Sequence, residues 1–304
     1  MSVMLTINKI LLPVVFTDNS THFRQLACQA AWLARRFHAE IILLHVVTPY
    51  SYPYGLLESG HEVTARDLQA KVVQWAQKDL DELLLPQLEG IAVTRLLLRG
   101  DPAREIVEAA RFHNAGMIIM STRGEGVLYR LLLGSVTAKV LHESSCPIWI
   151  GRHSPELQKG EAETLPDEFS VRRILCSVAL NPHNRHTLAR AVEVAAAVDA
   201  RLTLVHITGS VESLGPSGYS VNPKWKETIV GMAAEEIAKL QKDVGTQAEV
   251  IIDSGNVPQL LNRAAEQTKA DLLIIGHIPG RSHLGDNGEG YGIIRESRIP
   301  VLSV

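Results

Sequence analysis

The sequence predicts an α/β fold of two tandem domains, each a doubly wound, five-stranded parallel sheet with helices on both faces. Short apolar runs rich in β-branched residues alternate with longer segments whose apolar residues recur every three or four positions. The short runs lack a polar/apolar alternation, which is typical of strands that are covered on both faces. After residue 170 the whole series occurs a second time.

The elements of the first half follow one another in strict alternation. The first strand spans residues 9–15, and the helix after it repeats Phe23, Leu26, Ala30 and Leu33. The second helix is marked by Leu68, Val72, Trp75, Leu80 and Leu83. Four further strands are predicted at residues 40–47, 91–98, 117–120 and 147–150.

Two turns in this half carry recognisable helix starts. Asp101 is placed to cap a helix whose first residue is Pro102. A later helix is predicted over residues 134–142, opening at Gly134 and Ser135. Both turns follow a strand, so both lie at the edge of the sheet where parallel strands end.

The composition suits two ordinary globular domains. Of 304 residues, 46% are hydrophobic and 21% are charged. A net charge of −3 gives no electrostatic reason to expect nucleic acid or an anionic membrane as a partner. No apolar run approaches the roughly 18 to 20 residues of a membrane-spanning helix, and secretory signal features are lacking, so we expect a cytoplasmic protein. The three cysteines have no metal or redox spacing and are expected to be buried, inert thiols.

Residues 152–170 interrupt the pattern and are predicted to link a domain at 1–151 to a second at 171–304. They are polar, with two prolines and several acidic residues. Beyond them, His206 and Gly255 repeat the contexts of His45 and Gly100. The two histidines, at matching strand ends, are interpreted as hydrogen-bonded structural residues. The chain is therefore interpreted as a tandem duplication.

Residues 117–140 contain the predicted ligand site. An apolar strand ends at Ser121, a glycine follows at Gly124, and nine residues later Gly134 and Ser135 open a helix. Free N–H groups at a helix start attract anions, so this arrangement indicates a phosphate cradle. The same residues are also compatible with a glycine turn and a serine helix cap without a ligand.

The order of these motifs resembles the tandem form of the universal stress protein family over nearly the whole chain. The motifs are LLHVV, GDP, IIMSTRG, GS after nine residues, and CPIWI. The resemblance implies the strand order 3-2-1-4-5 in each domain. It also implies an intramolecular pseudo-dimer of the two domains through their last strands, with a homodimer of chains left open, and an ATP site.

The family's nucleotide pattern, G-x2-G-x9-G-[ST], is nearly complete in the first half. Ser121 replaces the first glycine, whereas Gly124, Gly134 and Ser135 match. The resemblance implies that Val46 meets adenine through its backbone and that the start of the helix faces phosphates. The predicted cofactor-binding residues are Val46, Ser121, Arg123, Gly124, Gly134, Ser135, Val136 and Thr137. The predicted cofactor is ATP, alone or with Mg²⁺.

Two departures from the family pattern bear on this prediction: the first weakens ATP binding in both halves, and the second restricts the prediction to the first domain. Val15 and Ala179 occupy the position of an aspartate found in ATP-binding members. Losing such a contact costs on the order of 1–3 kcal/mol, or roughly 5- to 150-fold in affinity. In the second half the cradle is two residues shorter, and either Asn287 or Gly290 aligns with Gly134.

The expected function is that of a stress-response regulatory protein that binds ATP without rapid turnover. Neither a Walker lysine nor a clear general base lies near the cradle, so an enzyme is not expected. The alternative is an interaction or assembly module that does not bind nucleotide. A metal site of His277, His283, Asp286 and Glu289 matches no standard ligand spacing, and a serine hydrolase would lack the G-x-S-x-G motif.

Overall fold

The computed structural model describes residues 6–16, 21–48, 65–83, 86–121, 133–151, 169–181, 184–208, 223–276 and 289–304. The first half contains β1 (Lys9–Pro13), α1 (Thr21–Phe37), β2 (Glu40–Val47), α2 (Ala65–Glu82), β3 (Val93–Arg99), α3 (Pro102–Phe112), β4 (Met117–Ser121), α4 (Ser135–Glu143) and β5 (Ile148–Gly151). The second contains β6 (Arg173–Ser177), α5 (Asn184–Val198), β7 (Arg201–Thr208), α6 (Pro223–Val244), β8 (Glu249–Ser254), α7 (Val257–Thr268), β9 (Leu272–Ile275), α8 (Glu289–Glu296) and β10 (Val301–Ser303).

The strands form one ten-stranded sheet in the order β3-β2-β1-β4-β5-β10-β9-β6-β7-β8. Within each half the neighbours are parallel and follow the predicted order 3-2-1-4-5. The halves meet where β5 and β10 pair antiparallel, with Trp149 opposite Leu302. The carboxyl ends of the two sets of parallel strands therefore lie at opposite edges of the sheet.

Helices cover both faces of the sheet because its strands are apolar on both sides. On β2, Ile41 and Leu43 face one core and Ile42 and Leu44 face the other. The first core contains buried residues of α1, α2, α5 and α6. The second contains buried residues of α3, α4, α7 and α8. No helix in the described ranges is long and apolar enough to cross a membrane.

Repeated contacts at equivalent positions show how closely the halves correspond. The His45 ring binds the carbonyl of Val14 at 2.9 Å, and the His206 ring binds that of Val178 at 2.7 Å. Both histidines are thus structural, as predicted. The Asp101 and Asn256 side chains cap α3 and α7 in the same way.

Aromatic side chains pack together near the junction between the halves, with Trp149 buried and Trp32 and Phe169 partly buried. The Trp149 indole N–H donates to the Gln29 side-chain oxygen at 2.8 Å. Phe169 packs edge-on against Trp32 and Trp149, with ring centroids 5.4 and 6.0 Å apart. Of the predicted linker, the structure describes residues 169 and 170. Phe169 belongs to the packed structure.

Several sequence predictions need correction. Trp75 lies outside the core, with 62% of its surface exposed, because Ala76 and Leu80 form the buried stripe of α2. The first strand ends at Pro13 instead of residue 15, and β3 is shifted two residues toward the C-terminus at its start. Pro13 has no N–H to donate, and this ends the pairing of β1 with β4.

Candidate functional site

The candidate site lies at the carboxyl ends of β1 and β4. The chain leaves β1 toward β2 on one side, and β4 lies on the other, so the strand order reverses between these neighbours. Open α/β sheets bind ligands in the crevice at such a switch point. β1 pairs with β4 only through Ile10 and Leu11, and the two strands are not paired beyond those residues.

Helix α4 begins beside this crevice. Gly134 is its N-cap residue and provides no side-chain cap, so the serine-cap interpretation of Ser135 is wrong. The first intrahelical bond runs from the Ala138 N–H to the Gly134 carbonyl at 2.8 Å. The N–H groups of the three residues between them have no hydrogen-bond partner among the described residues: Ser135, Val136 and Thr137. These N–H groups are what a phosphate oxygen requires.

The Thr137 hydroxyl joins the helix to the strand. It donates to the Ser121 carbonyl oxygen at 3.0 Å, and the residue is only 5% exposed. The hydroxyl is therefore engaged within the protein, and only the N–H of Thr137 is directed toward the helix start. The predicted site residues Ser121 and Thr137 are in direct contact across the segment that separates them in sequence.

The backbone of Val46 faces the gap beyond β1. The Leu44 carbonyl accepts from the Val14 N–H at 2.8 Å, so the polar groups of Val46, two residues along β2, point to the same side. In a longer β1, the Val14 carbonyl would accept from Val46, but it binds the His45 ring instead. No described residue pairs with Val46 on that side. His45 thereby leaves one donor and one acceptor of Val46 free.

The end of β1 is apolar at the same place. Val15 has 58% of its surface exposed beside the crevice. The Phe16 ring lies 4.1 Å from the His45 ring, centroid to centroid, at an interplanar angle of 36°. The described end of β1 therefore offers apolar surface and no carboxylate.

An ion pair that sequence reasoning missed lies beside α4. Lys139 approaches the Asp101 carboxylate at 3.4 Å, joining α4 to the cap of α3. The Arg104 N–H is the main cause that lowers the pKa of Asp101, and Lys139 adds to it. The GDP motif identified Asp101 as a cap, but the spacing of 38 residues gave no signal for Lys139.

The second half repeats the histidine contact at the end of its first strand but differs at the cradle. A side chain at Gly276, the counterpart of Ser121, would put its Cβ 2.6 Å from the Thr187 hydroxyl, so packing alone explains that glycine. Helices α4 and α8 end at the matching residues Glu143 and Glu296. Counting back from these ends without gaps favours the alignment of Asn287 with Gly134. This gap-free alignment places Gly290 at the position of Thr137.

Some predicted residues fall outside the described part of the chain. These are Arg123 and Gly124, as well as most of the alternative metal site (residues 277–288). Within the described ranges, no group of three His, Cys, Asp or Glu side chains could hold a metal ion. The prediction that Arg123 and Gly124 bind phosphate therefore stays a prediction.

A second concave region lies at the amino ends of the first-half strands, opposite the crevice. It is a cavity of about 490 Å³ lined by Arg111, Glu143, Ser145 and, from the second half, Arg190. The carboxyl ends of α3 and α4 also face this cavity. Their negative partial charges and the Glu143 carboxylate have the opposite sign to the two guanidinium groups.

Together, these features define a tandem, doubly wound α/β protein whose crevice lies at the carboxyl ends of its strands, where open α/β sheets bind ligands. The model of the universal stress protein family matches residues 7–152 and 170–304. The chain belongs to this family.

Similar proteins agree with that membership. A universal stress protein of Methanocaldococcus jannaschii is 32% identical over 137 residues, covering 45% of this chain and 79% of the relative. One of Mycobacterium tuberculosis is 23% identical over 304 residues, covering 95% of both chains. The crystal structure of a universal stress protein from Archaeoglobus fulgidus gives a TM-score of 0.67 at 21% identity over 98% of both chains, which shows the shared fold.

Proposed function

We propose that this universal stress protein binds an adenine nucleotide, ATP with or without Mg²⁺, in the crevice of its first half and does not turn it over rapidly. The proposal combines the family membership with the geometry at β1, β4 and α4. The nucleotide would serve as a regulatory ligand of a stress-response protein.

The start of α4 is the observation that carries the proposal. Ser135, Val136 and Thr137 present three N–H groups without a described partner at the switch point. The phosphates would lie against these groups, and the adenine would meet the free backbone donor and acceptor of Val46. Ser121 and Gly134 would line the space between, with Arg123 and Gly124 completing the cradle.

Slow turnover is proposed from the groups that surround the cradle. Asp101 is joined to α4 through Lys139, and its oxygens accept from the Arg104 N–H and from Lys139. A carboxylate held in this way has a lowered pKa and is a poor general base near neutral pH. Mg²⁺ would arrive with the phosphates, because phosphate oxygens are its usual ligands.

The second half is proposed not to bind ATP in this way. Its gap-free alignment replaces Thr137 by Gly290, so no side-chain hydroxyl is available there to join helix and strand. Ala179, like Val15, offers no carboxylate at the end of the first strand. We therefore expect one nucleotide per chain.

Isothermal titration calorimetry with ATP, in the presence and absence of Mg²⁺, tests the proposal. A single site per chain is expected, with weaker binding of AMP because it offers fewer phosphate oxygens to α4. The absence of both heat and a shift in melting temperature at millimolar ATP would refute it. Inorganic tripolyphosphate should compete with ATP if the phosphates provide much of the affinity.

A second candidate function is an assembly module that binds another copy of the chain. Trp75 on α2 and Met232 on α6 are 62% and 63% exposed, and each directly precedes a buried alanine of its helix. The two residues thus occupy equivalent positions in the halves. Sedimentation velocity of the double variant Trp75→Gln, Met232→Gln tests for self-association through these helices. Unchanged sedimentation, with ATP binding intact, would favour the nucleotide function.

A further inference from the structure

The first turn of α4 is anchored at two successive residues from two different parts of the protein. The Thr137 hydroxyl donates to the Ser121 carbonyl of β4 at 3.0 Å. The Tyr291 hydroxyl, on α8 in the second half, donates to the Ala138 carbonyl at 3.2 Å. One anchor lies within the first half, and the other spans 153 residues of sequence.

The anchor from Thr137 joins the helix to the strand end that forms the crevice. Thr137 is buried, so its hydroxyl competes little with water and its contact with Ser121 is well defined. The neighbouring Gly134 contributes no side-chain cap. With neither a capping side chain nor the Thr137 contact, the helix start would be free to fray.

The anchor from Tyr291 breaks the symmetry between the halves. Counted from the ends of α4 and α8, Tyr291 and Ala138 are equivalent positions, so the bond crosses the pseudo-twofold axis. The reverse bond cannot form, because Ala138 has no hydroxyl. Burial raises the pKa of Tyr291, so its phenol stays protonated and able to donate.

The second half lacks the corresponding arrangement for its own helix. Gly290 has no side chain with which to reach the end of β9, and Ala138 has no hydroxyl to donate to α8. The asymmetry favours α4 over α8, since one hydroxyl group from each half anchors the first turn of α4. The described contacts therefore favour the first-half crevice over the second as the place where an anion binds.

We propose that Thr137 and Tyr291 are positioning residues that hold the N–H groups of α4 ready for phosphate, and that the second half supports the first-half site through Tyr291. This inference rests on the proposed nucleotide function. A preorganised donor set binds an anion more tightly because less ordering is required on binding. The second half thus acts as a structural support for a site that it does not itself form.

Three variants of the full chain test the two anchors: Thr137→Val, Tyr291→Phe and the double variant. Each single change removes a hydroxyl with almost no change in shape. Thr137→Ser keeps the hydroxyl and should restore binding. Thr268→Val is the matched control, because its hydroxyl bonds to the Ala264 carbonyl within α7, away from the crevice.

Two measurements are made on each variant. Calorimetry with ATP and with tripolyphosphate should show affinity reduced roughly two- to tenfold by each single change, with Thr137→Ser and Thr268→Val near wild type. Hydrogen exchange in the absence of ligand should become faster at the first hydrogen-bonded amides of α4, beginning with Ala138, for both anchor variants. A change in overall folding alone would instead raise exchange throughout the chain.

The outcomes separate this inference from the proposed function. If the wild-type chain binds neither ATP nor tripolyphosphate, the proposed function and the role of the anchors in it are both overturned. If it binds, but Thr137→Val and Tyr291→Phe keep wild-type affinity and α4 exchange, only the anchoring is overturned. A loss of affinity in Thr268→Val equal to that of the anchor variants would also overturn it.

Discussion

Replacing Val15 by aspartate should strengthen ATP binding. Val15 occupies the position of the aspartate that the family resemblance associates with the nucleoside, and its side chain is 58% exposed. An added carboxylate would stay in water in the free protein, so folding stability should change by less than about 0.5 kcal/mol. In the complex, the carboxylate could accept hydrogen bonds from the sugar hydroxyls.

The expected gain follows from two opposing effects. A hydrogen bond to a charged group contributes about 1.5–3 kcal/mol. Repulsion from a phosphate charge roughly 8 Å away costs about 0.5 kcal/mol in water, less after screening by salt. The net gain of about 1–2.5 kcal/mol corresponds to roughly 5- to 70-fold tighter binding.

Calorimetry with ATP is the assay, with Ala179→Asp as the matched control in the second half. The control should leave both affinity and stoichiometry unchanged, because that half is not expected to bind ATP. Equal or weaker ATP binding in Val15→Asp, with the fold intact, would refute the placement of the nucleoside beside β1. A second site appearing in Ala179→Asp would contradict the difference proposed between the halves.

Three further predictions concern the cradle, the junction and the thiols. Gly134→Val should weaken ATP binding more than tenfold by crowding the cradle, yet keep the fold, since φ of −57° suits any residue; calorimetry with wild-type affinity would contradict this. Trp149→Phe should lower the free energy of unfolding by about 1–3 kcal/mol, because the buried Gln29 oxygen loses its donor; an unchanged urea midpoint would contradict it. A thiol reagent at pH 8 should label Cys28 well before Cys176, whose pKa burial raises to about 12. Equal labelling of both thiols in the folded protein would contradict this burial. Because the unfolded thiol ionises nearer pH 9, the contribution of protonated Cys176 to the free energy of unfolding is complete below pH 9 and declines as the pH rises toward 12.

The fold was predictable because its signals are local. Apolar runs without alternation, such as residues 40–47, mark strands covered on both faces, and caps such as Asp101 mark helix starts. The repeated histidines indicated the duplication and proved to make the same backbone contact. Trp75 was placed wrongly, since apolar character alone does not reveal which of two adjacent positions, Trp75 or Ala76, turns toward the core.

The site was less accessible to sequence reasoning because its key contacts are long-range. Nothing in the motif around Thr137 shows that its hydroxyl is directed at Ser121 and away from a ligand. The support from Tyr291 depends on the antiparallel meeting of the halves, which brings α8 beside α4. The role of Pro13 in opening the crevice likewise requires knowing that its missing N–H faces β4.

Native mass spectrometry of the intact chain with ATP tests the central claim most directly, because it counts nucleotides per chain. The account predicts one bound nucleotide at saturation, lost in Gly134→Val and retained in Ala179→Asp. No bound nucleotide, or two that bind equally, would contradict the assignment of the first-half crevice as the nucleotide site.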